Sequence, residues 1–183
     1  MPARGIRTPT AEECLGILGA HGVPLHIRRH SEQVAKVARR LAAALRECAD
    51  EPVDVPLIEA AALLHDIAKS SSLATRRDHA IEGGEVLKAM GYGRIAVLVE
   101  RHVHLGSWDP AGRVVEEEIL NYSDKRVRHE DVVTLSERFQ DLIVRYGRGN
   151  PFVEDAIRQN WRVTEAVEQK LFSRLPFTPD DIT

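Results

Sequence analysis

AALLHDIAKS, Ala61 to Ser70, places a histidine, an aspartate and a lysine in an otherwise apolar run. Ala61, Ala62, Leu63, Leu64, Ile67 and Ala68 have the character of a buried helix. Burying an imidazole beside a carboxylate is costly unless a partner compensates both. The partner has to come from elsewhere in the chain. Residues adjacent on a helix point about 100° apart, so His65 and Asp66 can still reach one ion beside it.

The 183 residues suit one domain, Met1 to Thr183, with a core over about 24–130 and a helical extension over about 131–175. Hydrophobic residues make up 43% and charged residues 29%, the balance of a globular protein rather than a disordered one. Aromatics are only 5%, and abundant Ala, Leu, Glu and Arg favour helix over sheet. The formal charge of −3 gives no basic field and argues against general nucleic-acid binding. Cys14 and Cys48 stand far apart and form no CxxC, so neither a disulfide framework nor a thiolate zinc site is expected. The N-terminal MPARGIRTPTAEEC lacks the apolar core of a signal peptide. No run approaches the roughly 18–20 apolar residues of a membrane span. A cytoplasmic setting is the expectation.

Local signals predict an all-α bundle of seven or eight helices. Thr10 with Glu13 has capping-box spacing, and Gly22 ends that helix. The run from His30 to Ala49 carries Val34, Val37, Leu41 and Leu45 on one stripe. Asp54 and Pro56 open a helix that runs to about Lys69, and Ser70–Ser72 reads as a loop. Further helices are predicted over Asp78–Met90, Ile95–His104, Val114–Val127, Val133–Tyr146 and Pro151–Leu175, with no strand alternation anywhere. The last carries Phe152, Ile157, Trp161, Val167, Leu171 and Phe172. That face permits a homodimer contact, with packing on its own domain as the default.

There are eight histidines, and any single one reads best as a structural residue. The grouping carries more weight. His30 opens one helix, His65-Asp66 sits in a second, and Asp124 lies among Ile119, Leu120 and Val127 in a third. A divalent cation would neutralise the carboxylates and take the imidazole lone pairs.

This order, His30, then His65-Asp66, then Asp124, resembles the HD-domain superfamily of metal-dependent phosphohydrolases over roughly His26 to Arg128. HDIAK resembles the HDIG subgroup, with Ala68 where a glycine often stands. The segments DHAIEGGEVLKAMG and VLVERHVHLG resemble the members with two metal ions. The resemblance implies one ion held by His30, His65, Asp66 and Asp124, and another by Asp66, His79 and His102. His104 competes with His102 for that role, and the preceding Glu-Arg favours His102.

An imidazole and carboxylate set suits Fe, Mn, Co, Ni or Zn, one ion or two, without choosing among them. The implied chemistry is attack of an activated water on a phosphoester or phosphoanhydride of a small nucleotide-like substrate. Asp66 would orient that water, and Lys69 would contact a phosphate. Arg76 and Arg77 could place a second phosphate. Arg101 and Lys125 read as peripheral to the ligands, and Trp108 as packing rather than base stacking. A narrower resemblance is to the diadenosine-polyphosphate hydrolases. Two other readings share the ligand set: a di-iron oxygenase, and a non-catalytic metal-binding regulatory module.

Overall fold

A computed structural model describes residues 7–49, 51–106 and 108–183. The first six residues, part of the N-terminal stretch read above, lie outside it, as do Asp50 and Ser107. The described residues form nine α-helices and one two-stranded ladder. They are α1 (Ala11–Ala20), α2 (Leu25–Cys48), α3 (Val55–Leu64), α4 (Lys69–Thr75), α5 (His79–Ala89), α6 (Gly93–Arg101), α7 (Glu116–Lys125), α8 (Leu135–Leu142) and α9 (Pro151–Phe172). No described helix is long and apolar enough to cross a membrane.

The organising element is α3. Leu57, Ile58 and Ala60 to Leu64 are all buried, because α1, α2, α6 and α7 pack around the helix. A helix apolar on every side belongs in a core. The small residues Ala60, Ala61 and Ala62 let neighbouring helices approach it closely. Around it, α2 buries the stripe His30, Val34, Val37, Ala38, Leu41 and Leu45. Helix starts follow the polar residues that cap them. Thr10 and Glu13 form the capping box on α1, and Asp54 accepts from Leu57 N on α3. Asp78 accepts from Ala80 N on α5, and Asn150 caps α9.

Three expectations need correction. The helix predicted to run through Lys69 stops at Leu64, and a turn spans His65 to Ala68. Short bonds from Ile67 N to the Leu64 carbonyl (3.1 Å) and from Lys69 N to the Asp66 carbonyl (3.0 Å) tighten the chain there. Helix resumes at once, so Ser70–Ser72 is helical rather than a loop, with Ser71 and Ser72 hydroxyls bonding back to carbonyls three residues earlier. Strand also appears. Val127–Arg128 and Asp131–Val132 pair antiparallel, Val127 with Val132 and Arg128 with Asp131. His129 at the tip has φ 57°, a left-handed conformation uncommon for a residue with a Cβ.

After α8 the chain widens into a π-helical turn, Ile143–Gly147, then reverses into α9. The second half of α9 packs on its own chain, burying Thr164, Val167, Lys170 and Leu171. Lys170 Nζ pairs with Glu118 (2.6 Å) and donates to the Asp109 and Arg113 carbonyls, all from one buried position. Trp161 stacks flat on Phe139 with ring centroids 5.5 Å apart.

Candidate metal centre

Five separate segments deliver side chains to one buried point. His30 comes from the inner face of α2, and His65 and Asp66 from the turn after α3. His79 is the first residue of α5, His102 closes α6, and Asp124 comes from the last turn of α7. His30, His65, Asp66, His102 and Asp124 are buried, and His79 is half-buried.

The tautomers follow from the partners. His30 Nδ1 donates to the His129 carbonyl (2.9 Å), His65 Nδ1 to Ala62 (2.7 Å) and His102 Nδ1 to Val99 (2.7 Å). A carbonyl oxygen only accepts, so each Nδ1 must carry the proton and each Nε2 is turned to the centre. This is the usual way a protein orients imidazole ligands.

Two groups of potential ligand atoms result. His30, His65 and Asp66 each offer an atom within 4.8 Å of the others, and so do Asp66, His79 and His102. Asp124 Oδ1 joins the first group, 3.1 Å from His30 Nε2 and 3.5 Å from His65 Nε2. In the second, Asp66 Oδ1 lies 3.3 Å from His79 Nε2 and 3.8 Å from His102 Nε2. Asp66 belongs to both. His65 Nε2 and Asp66 Oδ1 are fully buried with no hydrogen-bond partner. A buried polar atom left without a partner is costly unless something binds it. The donor set, nitrogen and carboxylate oxygen, therefore fits one or two transition-metal cations.

Each carboxylate gives its other oxygen to a lysine. Lys69 Nζ donates to Asp66 Oδ2 (2.7 Å) and Lys125 Nζ to Asp124 Oδ2 (2.6 Å). Burial opposes ionisation of Asp66, but His65 and Lys69 outweigh it and hold the carboxyl well below its usual range. Asp124 behaves alike, with Lys125 and His30 outweighing burial. Burial also opposes a charge on His65, yet the attraction of Asp66 and Asp124 raises its pKa to about 9. Burial, reinforced by the neighbouring His65 charge, pushes His102 down to about 3.

A cavity of about 430 Å³ opens beside the centre. Lys69, His79, His102, Asp124 and Lys125 line it, together with Arg138 and His104. Arg76 and Arg77 are not brought there. Arg76 is exposed at a left-handed helix end, and Arg77 pairs with Glu85 at 2.7 Å. The cationic groups that line the cavity besides Lys69 are Lys125 and Arg138, to which sequence reasoning gave no such role. Lys125 had a signal, a charge next to a candidate ligand inside an apolar helix. Arg138 had none, because only the reversal between α8 and α9 shows which side of α8 forms the wall. His104 lines the cavity but lies outside both ligand groups. The helix ends at Arg101 rather than at the expected His104, so His102 and His104 do not share a helix. Trp108 lies by Lys170 at a second cavity, away from the centre.

The family model described as HD domain matches residues 27–141. A tRNA (cytidine(56)-2'-O)-methyltransferase of Picrophilus torridus is 34% identical over 142 residues, covering 70% of this chain and 39% of the relative. The protein of the same name from Thermoplasma volcanium is 28% identical over 99 residues, covering 54% of this chain and 27% of the relative. The chain thus spans well under half the length of these curated relatives. No solved structure matches at a significant level.

Proposed function

The chain belongs to the HD-domain family, and we propose that it is a metal-dependent phosphohydrolase acting on a phosphoester or phosphoanhydride of a small nucleotide-like substrate. The observation that carries this reading is the pair of orphaned buried atoms, His65 Nε2 and Asp66 Oδ1, where the two ligand groups meet. In this reading His30, His65, Asp66 and Asp124 hold one cation, and Asp66, His79 and His102 hold a second.

Bound there, a divalent transition metal supplies an acidified water and neutralises charge on the phosphoryl oxygens. The protein's own groups do the rest. Asp66 turns Oδ1 to His79 and His102 while Oδ2, 3.4 Å from His65 Nε2, accepts from Lys69, so the carboxylate is held at both oxygens. In hydrolysis the oxygen of that water would bond to phosphorus as the bond to the leaving oxygen breaks, and a proton from the water would pass to the leaving oxygen. Lys69 and Lys125 line the cavity next to the two carboxylates, positioned to attract phosphoryl oxygens. The apolar core behind His65 excludes bulk water, which strengthens each of these interactions.

A second reading starts from the relatives' names. An HD domain within a tRNA-modifying protein would act on a phosphate carried by RNA, against the expectation drawn from the net charge of −3. Methyl transfer itself is the named activity of whole proteins of which this chain matches at most 39%.

The test is metal analysis of protein purified without added metal, with a screen of mononucleotide and RNA-terminal phosphoesters. His65→Ala and Asp66→Asn are expected to lose bound metal and to lower phosphoester hydrolysis at least about 100-fold. Full activity and metal content in both variants would overturn the assignment. Hydrolysis confined to RNA ends would favour the second reading.

A further inference from the structure

The HD match ends at residue 141, yet much of the cavity wall comes after it. Leu142, Tyr146, Val153, Ala156 and Ile157, from the end of α8, the π-helical turn and α9, line it with Leu73 of α4. The rest of the lining includes three cationic side chains. Lys69 and Lys125 are each bound to a carboxylate, while Arg138 reaches only Asp141, at 3.4 Å, and its buried Nε has no hydrogen-bond partner. The cavity therefore has two chemistries, a cationic floor, of which Lys69 and Lys125 adjoin the metal centre, and an apolar wall.

We infer that the α8–α9 extension is the specificity element of the site: Arg138 binds the substrate's phosphate, and the Tyr146–Ile157 wall receives a nucleobase. This rests on the phosphohydrolase reading for the identity of the reacting group. A cavity of about 430 Å³ lies in the range of small-molecule sites, roughly 300–1,000 Å³. Its apolar side chains suit a flat, poorly hydrated ring rather than a sugar, whose hydroxyls would lose their water without replacement. The half-exposed Tyr146 ring gives such a ring a face to stack on. Asn160 commits its amide NH₂ to the Val103 carbonyl (3.1 Å), which leaves its amide oxygen to accept from an exocyclic amine or ring N–H. Arg138 lies 11% exposed, a desolvated guanidinium suited to two parallel bonds with a phosphate.

The two halves can be separated without turnover. Adenosine and cytidine probe the wall, and inorganic phosphate probes the floor, each titrated calorimetrically into manganese-loaded protein. Tyr146→Ser and Ile157→Glu are expected to weaken nucleoside binding about tenfold and leave phosphate affinity unchanged. Arg138→Gln is expected to weaken phosphate about tenfold and leave nucleoside binding unchanged. Circular dichroism confirms that each variant is folded, and Tyr146, at the surface, can change without disturbing the core. Equal nucleoside affinity in wild type and both wall variants overturns the inference, as does phosphate binding indifferent to Arg138→Gln. Hydrolysis of simple aliphatic phosphoesters by a protein that binds no nucleoside overturns it while leaving the phosphohydrolase reading intact. Wall-dependent nucleoside binding without any phosphoester hydrolysis does the reverse.

Discussion

At the scale of single residues, the centre is a balance between protons and cations. In the metal-free protein His65 carries its second proton up to about pH 9, against an ordinary value of 6.5, and His102 stays neutral down to about 3. The raised His65 value contributes stability that is fully present below pH 6.5 and lost as pH rises through about 9. The lowered His102 value contributes stability that is present above 6.5 and lost as pH falls toward 3. Metal-free protein is therefore expected to be most stable near pH 6.5, with the melting temperature falling on either side. Thermal denaturation in chelator from about pH 4 to about 9.5 checks this. A cation at His65 Nε2 displaces that proton, so loading should abolish the alkaline fall. Metal uptake at pH about 7.5 should also release a proton, visible as a dependence of titration heat on buffer ionisation enthalpy. A uniform melting temperature from pH 6.5 to 9 without metal would contradict the assignment.

At the scale of elements, the turn between α3 and α4 and the approach of α5 set the centre's geometry. Gly83 permits that approach. A Cβ there would meet Val99 Cγ1 at 3.2 Å and Ile67 Cγ2 at 3.3 Å, the latter next to Asp66. Gly83→Val should push α5 and its His79 outward, costing about 1–3 kcal/mol of stability and lowering metal stoichiometry. Chemical denaturation with metal analysis measures both, and unchanged stoichiometry would place His79 outside the ligand set. Such elements were legible in the sequence where one residue decides a boundary. Thr10 with Glu13, Asp54 and Asp78 each satisfy orphan backbone donors at a helix start, and that chemistry is local. The break at His65 was not legible, because Ala61 to Ala68 has uniform helical character and tertiary contacts end the helix there. The ladder at Val127–Val132 was missed for another reason: two residues per strand are too few to display alternation.

At the scale of the whole molecule, the residues that converge on the candidate centre could be read in advance, but Lys125 and Arg138 of the cavity lining could not. His and Asp in an apolar frame advertise themselves. Arg138 looks like any surface arginine until α9 folds back across α8. That return is secured by Lys170, whose side chain is 3% exposed and pairs with Glu118, itself 1% exposed. Lys170→Ala strands the Glu118 carboxylate in the core and should cost about 3–5 kcal/mol. It should also loosen the cavity wall, which denaturant melts combined with nucleoside titration would detect; a loss below about 1 kcal/mol would mean that α9 docks by its apolar face alone. Chelation should lower the melting temperature by leaving six convergent polar groups uncompensated. One consequence concerns inheritance. The oxygens that steer three of the imidazoles, at Ala62, Val99 and His129, all belong to the peptide backbone. Point changes in the gene replace side chains and leave those oxygens in place. Descendants of this chain can therefore rewrite much of the shell around the ion, with ring orientation passed on as a property of the fold.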